Sequence, residues 1–536
     1  MAFRNKIGSD VFNHKYKYRE GGCGTWEELS ETLVERICNK YMTKIDMKTL
    51  KKYIKDMKFI PGGRYIYYAG RKALFINNCF TMIAEDSREG WADLGHKHFM
   101  ALMCGGGVGT YYGKIRPKGC SISKTGGESS GTVPLMMSMN EIGRNVRQGG
   151  SRRSALWAGL PWDHGDINEF LYIKDWSEDV VKLKEKYFDH PAPLDVTNIS
   201  VCYNTRWYEG DDDEVFNKNV LQACKTSEPG FAFNLYENEC DVARNACTEV
   251  TSMFDGDVCN LGSVNMSRIN SIDEFEDVCR LANMFLICGT LVAELPYEKV
   301  SLVREMSRKI GLGLTGVHEW LIKRNYKYEF NDELHKWMEA YKNSSIHADN
   351  FINILGITPL VKYRAVAPAG TLSILAGTSS GIEPIYAKGT KRKYLKGEEW
   401  VEETYVDPTV KFIIENNNID HRDIETSMDL SKDVERRIKF QADMQDYVDM
   451  GISSTINLPA WDTEYNNENT VKDISLLIRK YAKRLRGLTF YADGSRGGQP
   501  LEQVPYEEAV KKETTNNKDQ IIFMEETSCK GGSCGI

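Results

Sequence analysis

The 536-residue chain has no apolar run of 18 residues and no N-terminal signal pattern, so neither a membrane span nor export is expected. The cytoplasm is the expected compartment. It also lacks a basic excess: net charge is −7, with Lys and Arg scattered along the chain. That argues against nucleic acid or a membrane as the main partner, although local basic patches for phosphates remain open. None of the fourteen cysteines falls in a CxxC…CxxC array, so a zinc ribbon is not expected and no metal ligand is assigned. The nine histidines, His96 and His98 among them, read as solvated or structural groups. Two nucleotide motifs fail as well. In "GGGVGTYYGKI" Val108 and Ile115 break the P-loop pattern, and Thr110 or Tyr112 stands where G-x-G-x-x-G needs its last glycine.

What is present begins with an amphipathic helix over 25–42, with Trp26, Leu29, Leu33, Ile37 and Tyr41 on one stripe and Thr25 with Glu28 as a capping box. From residue 60 short apolar runs broken by glycine alternate with helical patterns such as 274–294 and 434–450, which predicts an α/β layer or barrel. "PAGTLSILAGTSSG" (368–381) places Gly370, Thr371 and Ser373 at a helix start, suited equally to cradling phosphate or to closing an α/β unit. Cys38, Cys279 and Cys288 sit in helical apolar patterns and read as packing residues. The terminal "CKGGSCGI" differs: Cys529 and Cys534 lie in a polar, glycine-rich end that buries nothing, which favours a redox role. Residues after about 505 read as a flexible lead to that pair. Finally, "RNACTEV" (244–250) sets Asn245, Cys247 and Glu249 at alternate positions, so an extended segment would turn all three the same way.

Taken together, "NNCFTM" (77–82), "NACTEV", "CNLGSVN" (259–265), "APAGTLSILAGTSSGIEP" and "CKGGSC" resemble, in order and spacing, the catalytic subunit of ribonucleotide reductase. The resemblance runs from about residue 10 to the C-terminus. It implies a ten-stranded α/β barrel of two parallel five-stranded halves with a central finger loop: a helical N-terminal region at 1–60, the barrel at 61–505 and a redox tail at 506–536. It further implies Cys247 as the thiyl site, Glu249 as the base for the substrate 3′-hydroxyl and Asn245 as the grip on the ribose hydroxyls. Cys79 and Cys259 would supply two electrons and end as a disulfide, which Cys529 and Cys534 would reduce by exchange. Substrate contacts are implied for Asn78, Pro368, Ala369, Gly370, Thr371 and Leu372. Ala369 stands where Thr or Ser is usual, weakening one expected phosphate contact. The loop with Gly149, Gly150, Ser151, Arg152 and Arg153 resembles the segment joining an allosteric specificity site to the substrate base. Asn140, followed by Glu141, replaces the aspartate that commonly holds the effector ribose.

Three radical sources occur in the resembled family. A glycyl radical is set aside because that kind lacks this Glu. Oxygen-dependent members need a metal subunit and two adjacent tyrosines late in the chain, but here "GLTFYADGSRGG" (487–498) has Phe490 before Tyr491, and Tyr67-Tyr68 lie near the other end. The wording and length look like the adenosylcobalamin-dependent, class II enzymes. No D-x-H-x-x-G is present, so no histidine is expected below the cobalt. Expected partners are a ribonucleotide (a diphosphate), a deoxynucleotide or ATP effector, a thioredoxin or glutaredoxin-like reductant, and a second copy in a homodimer. The alternatives are an oxygen-dependent large subunit, and an inactive nucleotide-binding regulatory homologue, which would need none of the five redox cysteines.

Overall fold

Most strands of this chain are buried along nearly their whole length, the pattern of parallel strands covered by helices outside and by packed side chains inside. A computed structural model describes residues 3–146, 154–187, 190–396, 399–495 and 501–515. Cys79–Ile83, Gly107–Tyr111, Leu156–Pro161, Thr197–Asn204 and Gly230–Asn234 lie side by side in that order, all parallel. A second parallel run comprises Leu261–Asn265, Lys309–Thr315 and Lys362–Arg364. The single bridge Val366–Ile452 joins it to Thr455–Leu458, which pairs in parallel with Gly487–Ala492. Both seams between the runs are antiparallel: Gly487 and Leu488 meet Ala232 and Phe231, while Asp257–Cys259 meets Cys79–Thr81. Closing both seams makes a barrel of the two runs and leaves no open edge between them.

Alternation decides what faces the lumen. On Leu156–Pro161, Leu156, Ala158 and Leu160 join the core beneath the outer helices, whereas Trp157 packs inward with Cys202 and Ala232. The expected N-terminal helix spans Trp26–Cys38, and its capping box is formed by Thr25 and Glu28. It ends at Cys38 because Thr43 caps a second helix, Lys44–Lys55. Both helices bury their stripes in the same core as the helix Ile272–Val292 and the strand residues Ile310, Leu312 and Leu314. The N-terminal region is thus a cover for the second run of strands, not a unit with its own core.

The lead to the tail is shorter than the sequence suggests. Gly389–Lys396, Glu399–Val406 and Leu501–Val504 form a three-stranded antiparallel sheet. Tyr506–Thr515, expected as flexible, is a helix whose Ala509 is fully buried with Val406, Val410 and Ile413. Its polar residues face outward, which is why the segment reads as uniformly hydrophilic in one dimension.

Through the lumen runs a hairpin, Ala243–Arg244 paired with Thr251–Ser252. Glycines make room for it. A Cβ on Gly109 would sit 1.9 Å from the Arg244 carbonyl oxygen, one on Gly107 would sit 3.0 Å from Ala246 Cβ, and one on Gly451 would sit 2.8 Å from the Thr248 carbonyl oxygen. The "GGGVGT" stretch is therefore barrel wall shaped around the hairpin. Gly109→Ala has no flexible side chain to displace, so it is expected to lower stability by about 1–3 kcal/mol, measured by urea unfolding.

Candidate active site

The tip of the hairpin is a tight turn. Thr248 N–H donates to the Asn245 carbonyl (3.1 Å), Val250 N–H donates to Asn245 Oδ1 (3.0 Å), and Thr248 adopts φ +69°. This corrects the extended reading of "NACTE". The left-handed residue breaks the alternation, so Asn245 and Glu249 converge: Asn245 Nδ2 donates to Glu249 Oε1 at 2.9 Å. The same amide nitrogen lies 3.0 Å from Cys79 Sγ, whose thiol donates to Glu249 Oε1 at 3.6 Å. All three side chains are buried. Hydrogen bonds fix the tip to both runs of strands: Gly451 N–H, beside the second run, donates to the Glu249 carbonyl (2.7 Å), and Asn198 Nδ2, on the first, donates to the Ala246 carbonyl (3.0 Å).

Cys79 and Cys259 are direct partners across the antiparallel seam. Distant in sequence, they share one small cluster with Val250, Leu261, Ala365 and Met450. Directly opposed residues on paired strands lie within the separation a disulfide spans, about 4.4–6.8 Å between Cα atoms. Both are free thiols in this structure. Burial, and then the Glu249 carboxylate beside it, push the Cys79 thiol well above its ordinary range, so it stays protonated. Burial does the same to Cys259, with Lys309 working against it.

Cys247 is half-buried and faces a different space. It lines an open pocket in the lumen together with Trp157, Asn198, Ser200, Glu228, Thr455 and Thr489. Sequence reading missed this wall, because only strand register reveals which side chains of each strand point inward. Thr489 faces the cavity, while its neighbour Phe490 is fully buried in the outer core.

These pieces amount to a thiol between an amide–carboxylate pair and a cavity, with two more thiols opposed across a seam. The family profile described as the barrel domain of ribonucleotide reductase matches residues 77–209, 212–344 and 362–491. The chain belongs to the ribonucleotide reductase family. It is similar to the vitamin B12-dependent ribonucleoside-diphosphate reductase of Thermoplasma acidophilum, at 26% identity over 95% of this chain and 74% of that one. It is also similar to the protein of the same name from Mycobacterium tuberculosis, at 24% over 84% of this chain and 72% of that one. Among solved structures, the class Id ribonucleotide reductase alpha subunit of Actinobacillus ureae shares the fold, with a TM-score of 0.71 and 18% identity, covering 91% of this chain and 97% of that one.

The other residues expected of a reductase site fall as follows. The helix Gly370–Ala376 begins where "PAGT" predicts. It is coupled to the hairpin through Val366, whose N–H donates to the Gly451 carbonyl at 3.1 Å. Ala369 is buried and its N–H donates to Ser380 Oγ (3.0 Å), whereas Pro368, Gly370, Thr371 and Leu372 remain half-exposed. Asn78 Oδ1 is buried, with no hydrogen-bond partner among the described residues, and lies 2.9 Å from where a Cβ on Gly62 would be. Asn140 is turned fully inward: Oδ1 accepts from Val196 N–H and Thr197 Oγ1, and Nδ2 donates to Asp195. Its amide braces residues 195–197. Gly149, Gly150, Ser151, Arg152 and Arg153, like Cys529 and Cys534, lie outside the described residues.

Proposed function

We propose that this chain reduces ribonucleotides, as diphosphates, to 2′-deoxyribonucleotides by thiyl-radical chemistry at Cys247, with adenosylcobalamin as the radical source. The observation that carries the proposal is the position of Cys247. It stands at the tip of a hairpin inside the barrel, with a cavity at its side and, two residues to either side of it in sequence, Asn245 and Glu249, which cluster with Cys79. Ser453, Thr455 and Thr489, all half-buried, line the pocket and offer hydroxyl partners for the ribose of the cofactor's nucleoside. When bound, this cofactor supplies a carbon-centred radical able to take a hydrogen atom from a thiol. Phe490 supports this source over a tyrosine relay, because the residue before Tyr491 is a phenylalanine turned into the outer core, which leaves no adjacent tyrosine pair on this strand.

The residues then divide the work. Cys247 takes the C3′ hydrogen and later returns it. Glu249 accepts the 3′-hydroxyl proton, and Asn245 holds the ribose hydroxyls without changing charge. Cys79, kept protonated by burial and by Glu249, supplies a proton as the 2′-hydroxyl departs as water. Cys79 and Cys259 give up two electrons and close as a disulfide. The tail pair Cys529 and Cys534 reduces it by exchange and is recharged by a thioredoxin or glutaredoxin-like dithiol. Residues 516–528 separate the last described helix from Cys529, a contour of at most about 45 Å at roughly 3.5 Å per residue. Asn78 and residues 368–372 hold the base and phosphates. The loop at 149–153 relays a deoxynucleotide or ATP effector across a homodimer, and Asn140 stands where the resembled family holds the effector ribose. No helix among the described residues is long and apolar enough to cross a membrane, and the cytoplasm is the proposed compartment.

The test is an anaerobic assay of the purified chain alone with adenosylcobalamin, dithiothreitol and a ribonucleoside diphosphate. Deoxynucleotide formed without any second subunit is the expected result. Product that appears only on adding a metal-containing radical subunit would assign the chain to the oxygen-dependent kind.

A further inference from the structure

The two thiols of the seam do not have equivalent surroundings. Cys79 is set against Asn245 and the Glu249 carboxylate. Cys259 is set against a buried ion pair. Lys309 lies two residues before Gly311, where a Cβ would approach Cys259 Sγ to 3.3 Å, and residues two apart on a strand share a face. The parallel register that pairs Leu261 with Gly311 also brings Lys309 level with Cys259 when it is continued two residues back. Lys309 Nζ donates to Asp257 and to the Thr251 carbonyl (3.3 Å), and both charged side chains are 1% exposed. Asp257 sits two residues before Cys259 on the same strand and also accepts from Ser252 Oγ (2.5 Å) and Ser307 Oγ (3.3 Å). An ammonium ion is costly to bury, and a carboxylate saturated by other donors shares it with any anion that forms nearby.

We propose that Lys309, held by Asp257, sets the direction of exchange at this pair, so that an incoming thiolate bonds to Cys79 and Cys259 departs as the thiolate. This rests on the proposed redox role of the two cysteines. The incoming sulfur forms a bond to Cys79 Sγ as the Cys79–Cys259 bond breaks, and the electron pair goes to Cys259 Sγ beside the ammonium. A second thiolate then displaces Cys79, yielding an external disulfide, and two protons from solvent restore both thiols. Departure in the opposite sense would put the new negative charge in direct contact with the Glu249 carboxylate, 3.6 Å from Cys79 Sγ, and away from the ammonium. Since the faster leaving group is the better stabilised thiolate, the asymmetry selects one mixed disulfide over the other. Lys309 acts here through Cys259 and is a positioning residue.

The test uses the full chain carrying Cys529→Ser and Cys534→Ser, so that the tail does not compete. The protein is oxidised with diamide, exposed briefly to 2-mercaptoethanol, quenched in acid, and its mixed disulfides are mapped by peptide mass spectrometry. The adduct is expected on Cys79 over Cys259 by roughly tenfold. In Lys309→Met the preference should collapse towards even or reverse, and in Lys309→Arg, which keeps the charge, it should persist. A purely structural role for the ion pair would change stability and leave the partition where it was, and that outcome overturns the proposal. So does a predominant Cys259 adduct in the protein with Lys309 intact, a result that needs no variant to fold. If diamide forms no Cys79–Cys259 disulfide at all, the redox reading fails and takes this proposal with it.

Discussion

Cys247→Ala is expected to abolish deoxynucleotide formation, by on the order of 10⁴-fold or more, while leaving the fold and nucleotide binding intact. The size follows from the role: the atom that abstracts and returns the C3′ hydrogen has no substitute, because alanine carries no weak X–H bond at that position. The selectivity follows from the structure. The turn is held by the backbone bonds of Asn245, Thr248 and Val250 and by Gly451, none of which involves the thiol. Cys247 is half-exposed to the cavity, so deleting its sulfur costs about 1 kcal/mol or less. Calorimetry of nucleotide binding, a melting curve and the assay, run on one preparation, check all three points. A variant that retained appreciable turnover would remove Cys247 from the chemistry.

Glu249→Gln is the second large effect. The substitution keeps the shape and an acceptor for Asn245 Nδ2 but removes basicity, so kcat should fall by on the order of 10²-fold or more with KM nearly unchanged. Stability should hold or rise, because a buried carboxylate is replaced by a neutral amide. Steady-state kinetics with urea unfolding separates the possibilities. Reduced stability with normal activity per folded molecule would make Glu249 structural.

How much of this was legible in the sequence differs by element. The N-terminal helix and its capping box could be read because they depend on residues within one turn of each other, and Thr25 with Glu28 is such a pair. The barrel could be anticipated from alternating strand and helix signals, and the family from its motifs taken in order, which is where the proposed roles of the cysteines come from. The opposition of Cys79 and Cys259 could not be derived locally, since it rests on an antiparallel seam between residues far apart in the chain. Alternation misled at "NACTE", where Thr248 at positive φ reverses the direction of the side chains. The glycines of "GGGVGT", which match neither nucleotide motif, answer to the hairpin passing them, a contact that no local pattern shows. Trp157, Ser200 and Glu228 carry no motif at all, and only their inward register marks them.

The central claim is hydrogen abstraction from C3′ by a thiol that later gives the same hydrogen back. The most direct measurement is turnover of a 3′-deuterated ribonucleotide with adenosylcobalamin and dithiothreitol, followed by mass analysis of the deoxynucleotide. Slowed turnover with the deuterium retained at C3′ of the product is the expected result. Turnover at an unchanged rate, or complete loss of the label to water, would contradict it.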